Sequence, residues 1–191
     1  MKAFRGIVIA AALAVTAALP APAAAQTAPV TGSFTVRDIV DAGSNFFGEV
    51  SQGLASIVER AVSQYGLPNG YILGTEGSFA FIAGARFGEG TLYTRNAGQH
   101  RLYWQGPSIG VDFGGQGDRV MMLVYNLPSV PAIYDRFPGV AGSAHFIAGF
   151  AMNVVARDQV TIVPIMSGVG ARLGVNIGYL KFTDYPTFNP L

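Results

Sequence analysis

The sequence predicts a mainly β protein: a small antiparallel β-barrel of about eight strands with an N-terminal amphipathic helix packed on or in it. Three observations lead there. Glycine is abundant and charge sparse, with 25 glycines and 12% charged residues, a mix that marks tight turns and closely packed backbones. Apolar residues recur with a helical period between positions 36 and 65, and beyond position 70 the period is two. A long antiparallel sheet of short strands curls up and removes its edges, which makes a barrel.

The chain starts with an address. Lys2 and Arg5 precede an apolar run from Gly6 to Leu19, and small residues then lead to Ala23-Ala24-Ala25 before Gln26. This is the layout of a cleavable secretory signal, too short in its apolar part to remain as a spanning helix. Residues 1–25 are therefore read as a signal peptide cut near Ala25/Gln26, 26–34 as a flexible lead-in and 35–191 as a single domain. Periplasmic localisation is expected, with no membrane-spanning segment once the signal is gone. Removal of residues 1–25 leaves 166 residues, enough for one core that buries about 70% of the unfolded chain's surface. Two of the 12 Lys and Arg lie in the signal and none of the 11 acids does, so ten positive side chains face 11 negative ones. No basic patch for nucleic acid or anionic lipid can be read from that balance. Cysteine is absent, so packing rather than crosslinks must hold the exported fold.

The helix rests on Ile39, Val40, Phe46, Phe47, Val50, Leu54, Ile57, Val58, Ala61, Val62 and Tyr65, which share one side, with Asp38, Asp41, Glu49, Gln52, Ser56 and Glu59 opposite. Thr35 with Asp38 predicts a capping box, and Gly66-Leu67-Pro68 a glycine stop followed by proline. One rod over 36–65 would run roughly 45 Å. A bend or break is therefore expected at Gly43 with Ser44, or at Gly53.

Strands are expected at 71–76, 78–87, 90–96, 100–105, 108–113, 120–125, 145–156, 160–166 and 169–183, with turns at Gly88-Glu89, Asn96-Ala97-Gly98, Gly106-Pro107 and 114–118. One helical turn is expected over 132–137. The last strand alternates Gly168, Gly170, Arg172, Gly174, Asn176 and Gly178 with apolar residues. Such a glycine face admits a close neighbour, and it is expected under Phe46, Phe47 and Val50.

No constellation makes a catalytic or metal site, and no cofactor is expected. Gly168 to Gly174 misses the dinucleotide spacing and has strand periodicity. His100 and His145 are too few for zinc without cysteine. Ser143 near His145 gives a serine and a base but no orientation. The ligand-binding candidates are Arg101, Trp104, Arg136 and His145. Arg101-Leu102-Tyr103-Trp104 joins a forked donor to flat rings, suited to glycan or lipid headgroups; a lone Trp is also a natural core anchor. Arg136 with Asp135 stands in an irregular stretch, where function concentrates.

Several blocks resemble the EipA (envelope integrity protein A) family of alphaproteobacterial periplasmic proteins. They are Pro68-Asn69-Gly70-Tyr71-Ile72, Tyr103-Trp104-Gln105-Gly106-Pro107-Ser108-Ile109-Gly110, Leu123-Val124-Tyr125-Asn126-Leu127 and Gly168-Val169-Gly170-Ala171-Arg172-Leu173-Gly174 with Gly178-Tyr179-Leu180-Lys181. The resemblance implies a soluble periplasmic β-barrel of roughly eight strands that supports envelope integrity under stress, and it carries over no catalytic residue. A weaker likeness over 106–156 is to the SYLF lipid-binding domain, whose basic amphipathic start is missing here. The expected function is non-enzymatic envelope maintenance through an envelope lipid, glycan or periplasmic protein. A hydrolase using Glu76, Glu89, Asp112 or Asp118 is the rival. An outer-membrane barrel is a third reading, opposed by several strands shorter than the about 9 to 11 residues it needs.

Overall fold

Thr35 opens the first helix. Its N–H and hydroxyl donate to Asp38 Oδ2 at 2.8 and 2.9 Å, and Asp38 N–H donates back to Thr35 Oγ1 at 3.2 Å. This closed capping box starts α1, Val36–Phe47. The computed structural model describes residues 28–48, 52–79, 85–107, 118–167 and 178–189. α2 is Gln52–Tyr65. The break falls at Gly48 rather than at Gly43, Ser44 or Gly53: Gly48 has φ +81° and its N–H donates to Ser44 O. Gly43 and Gly53 are contact points instead. A Cβ on Gly43 would lie 2.9 Å from a Leu54 methyl, and one on Gly53 2.4 Å from the Ala148 carbonyl oxygen. Gly66, at φ +82°, ends α2 as expected.

The described strands are β1 Gly70–Phe79, β2 Ala85–Thr94, β3 Gln99–Pro107, β4 Asp118–Tyr125, β5 Arg136–Pro138, β6 His145–Ile147, β7 Phe150–Met152, β8 Val155–Arg157, β9 Val160–Ser167 and β10 Tyr179–Thr183. They pair antiparallel in the order β5-β10-β3-β2-β1-β4-β9, with β8 on the far side of β9. An isolated bridge between Gly139 and Val155, and a bond from Val140 N to Val154 O at 2.8 Å, bring β8 back beside β5. Eight strands thus close a ring, and the β6–β7 hairpin extends β9 as a flap outside it.

Local chemistry explains where the strands depart from the expected ones. The stretch 145–156 is three strands, because Ala148 (φ +45°) and Gly149 (φ +89°) form a turn and the Asn153 side chain accepts from Val154 N at 2.9 Å. β2 runs straight through Gly88-Glu89, whose register partners are Trp104 and Tyr103. Gly106-Pro107 ends β3 rather than turning. The helical turn is 3-10, Val130–Ile133, and β5 follows it. The expected strand at 108–113 and the glycine face from Gly168 to Asn176 lie outside the described residues, as does Val50. Phe47 meets Phe150, with ring centroids 5.4 Å apart.

β4 explains its own unbroken apolar run. Val120, Met122 and Val124 enter the ring with Ile72, Leu102, Trp104, Ile162 and Phe182, while Met121, Leu123 and Tyr125 meet Ile39, Leu54, Ile57 and Val58 on the outside. Burial on both faces removes the alternation. The helices therefore pack on the barrel, and its interior is filled by side chains. Ile133 from the 3-10 turn joins that interior cluster.

Candidate functional site

The four residues singled out in the sequence occupy separate surroundings. Trp104 faces inward and is 2% exposed. Its indole N–H donates to Glu76 Oε2 at 2.7 Å, Arg86 Nη1 donates to Glu76 Oε1 at 3.2 Å, and Arg86 Nε donates to Pro107 O at 3.1 Å. A buried charge persists when it is paired and hydrogen-bonded, and both Glu76 oxygens are engaged. The indole lies over Gly88, where a Cβ would come within 2.1 Å of Trp104 Cε2. Asp118 is the β4 register partner of Glu76, so strand alternation puts both carboxylates on the inward face.

Arg101 faces outward, paired with Glu89 at 2.7 Å and donating to Tyr103 Oη at 3.0 Å. His145 lies on the flap, with Nδ1 2.8 Å from Ser143 O and Nε2 3.4 Å from Arg60 Nη2. The Ser143 hydroxyl lies 2.7 Å from both Val140 O and Asn153 Oδ1 and accepts from Val154 N. These contacts brace a turn.

Arg136 lines an open cleft of about 510 Å³ at the barrel end where β8 stops and β5 begins. Arg157, from β8, and Lys181, from β10, line it too, with Tyr134, Asp184 and Tyr185. Arg136 and Lys181 are direct register partners. The Arg136 guanidinium lies 4.7 Å from the centroid of the Tyr179 ring, and Lys181 Nζ donates to Asn189 O at 3.3 Å. Side by side on adjacent strands, a guanidinium and an ammonium set N–H donors where the oxygens of one anion can meet both. Asp135 is the hub of the wall. Its carboxylate accepts from Arg136 N at 2.7 Å and pairs with Arg157, and its carbonyl accepts from Phe182 N at 2.9 Å. Burial, and then the Asp184 charge, push the Tyr134 phenol up from its ordinary value. Sequence reasoning singled out Arg136 and Asp135 but not Arg157, Lys181 or Asp184. Lys181 stands in a family-like block and is polar beside apolar neighbours, but neither places it opposite Arg136, since strand register is not written locally.

Among the described residues, fold and site together define a class: small barrel-like antiparallel sheets with two helices on the outer wall and a polar cleft at one end. A family model described as envelope integrity protein A matches residues 32–191, and the chain belongs to that family. A crystal structure of a beta-barrel-like, uncharacterized protein from Brucella abortus is similar, at 60% identity and a TM-score of 0.80, over 83% of this chain and 99% of that chain. No curated protein matches. Family membership carries a role in envelope integrity.

Proposed function

We propose that this is an exported periplasmic protein, freed of residues 1–25, which supports the envelope by binding one of its anionic components without chemistry. The site centres on Arg136, with Arg157 and Lys181. The observation that carries this reading is the direct cross-strand alignment of Arg136 and Lys181 above an open cleft. Arg101, Trp104 and His145 are absent from the cleft wall, and their contacts hold structure. An interior packed with apolar side chains and an outer β3 face bearing Gln99, Arg101 and Tyr103 invert the pattern of a transmembrane barrel, which supports a soluble form. Among the described residues no helix is long and apolar enough to cross a membrane.

The test is complementation. A strain lacking the protein, sensitised to envelope stress, should be rescued by the wild-type chain but not by R136Q/K181Q, provided the variant melts as the wild type does. Full rescue by that variant would remove the cleft from the function. Turnover of peptidoglycan by purified protein would overturn the non-enzymatic part.

The hydrolase reading has one observation in its favour, the register pairing of Glu76 with Asp118. Cross-strand partners place their Cβ atoms about 4.5–5.5 Å apart, within reach of a carboxylate pair. Loss of rescue by Asp118→Asn, with melting unchanged, would favour it. Retained rescue is expected.

A further inference from the structure

The cleft does not end at Arg157. A second opening of about 270 Å³ starts on the other side of the Asp135–Arg157 pair and shares both residues. Pro128, Ala132, Phe137, Asp158, Gln159 and Val160 complete its lining. The two openings have Asp135 and Arg157 in common as a shared wall, and their chemistry differs. One gathers Arg136, Lys181 and Arg157 beside Tyr134 and the exposed Tyr185. The other is neutral apart from Asp158 and the shared pair.

We infer that the two openings act as one groove, which takes an acidic oligosaccharide of at least two units, the charged sugar in the Arg136 half and a neutral sugar in the Gln159 half. The inference rests on the cleft being a binding site, and goes further in naming its ligand class. Arg forks and a Lys ammonium match carboxylate or phosphate oxygens. The acids decide what else the ligand carries. Asp184 stands with Asp135 and Asp158, the last two paired with Arg157, and their oxygens accept hydrogen bonds from hydroxyl groups, so the lining suits a molecule with negative charge and many hydroxyls. An acyl chain finds little to cover, since Phe137 and Val160 are 1% and 5% exposed. Tyr185, 62% exposed, offers a flat face to a sugar ring at the charged end.

Calorimetric titration of the exported chain separates the possibilities. The probes are glucuronate, glucose 6-phosphate, a neutral disaccharide, a glucuronate-containing disaccharide and vesicles of phosphatidylglycerol. The acidic disaccharide should bind at least about tenfold more tightly than glucuronate or the neutral disaccharide. The two charged monosaccharides tell carboxylate from phosphate. Gln159→Ala, a surface change, should weaken the disaccharide and leave glucuronate unchanged, while R136Q/K181Q should weaken both. Equal affinity for acidic monosaccharide and disaccharide would overturn the two-unit groove and leave the anion cleft standing. Binding of vesicles that the disaccharide fails to displace would overturn the glycan assignment. No binding of any anion would overturn the groove and the cleft together.

Discussion

Gly88 shows what a single residue name can and cannot reveal. Beside Glu89 it looks like a turn, because glycine serves turns and close approaches equally well. In the fold it is mid-strand, and the Trp104 ring fills the volume a side chain would take. Gly74 and Gly90 are likewise crowded: a Cβ on either would meet the backbone of the opposing strand at 2.2 and 2.5 Å. Gly88→Ala is therefore expected to destabilise the domain by about 1–3 kcal/mol through overpacking against a ring that Glu76 holds in place. Denaturant unfolding monitored by the fluorescence of the single tryptophan measures it. An unchanged midpoint would mean the indole can move aside, and the Glu76 bond is not a constraint. The core anchor reading of Trp104 was open to sequence reasoning. Its partners were not, because Glu76 and Arg86 are contributed by other strands.

At the scale of elements, legibility follows locality. The cap of α1, the stop at Gly66 and the apolar stripe were all readable because each depends on residues within one or two turns. The break was misplaced because Gly43, Gly48 and Gly53 look alike until tertiary contacts sort them. The cap also has a pH signature. Bonds to the Asp38 carboxylate from the Thr35 N–H first and the Thr35 hydroxyl next hold its pKa below the ordinary 3.8, against an opposing effect of burial and with lesser help from Arg95. A carboxyl whose pKa is lowered by folding stabilises the fold above its unfolded value, and that contribution disappears as pH falls through the lowered value. Thr35→Ala should cost about 0.5–2 kcal/mol at neutral pH, and its deficit relative to wild type should narrow well below pH 3.8. Thermal melts at the two pH values measure both. A deficit that stayed constant would assign the loss to something other than the carboxylate bond.

For the whole molecule, barrel class was legible because it follows from strand number and edge avoidance, but the cleft depends on which strands meet last. β1 and β2 pair along their full lengths, as do β4 and β9 over most of theirs. The seam between β5 and β8 is held by the Gly139–Val155 bridge, the Val140–Val154 bond and the Asp135–Arg157 ion pair. The cleft straddles this seam, with Arg136 on β5 and Arg157 on β8. A region with few backbone bonds opens locally at lower free energy than the core. Amide exchange at Val140 should therefore proceed by local opening, with a rate that barely responds to low denaturant. Exchange at Ile72 and Met122 should require global unfolding and respond steeply. A ligand that touches Arg136 and Arg157 at once joins the two sides of the seam, and binding to the closed form slows opening by mass action. Saturation with a bound anion should thus slow Val140 exchange while R136Q/K181Q abolishes the slowing. Equal exchange at the seam and at β4, or slowing that survives the double substitution, would separate barrel closure from occupancy of the cleft.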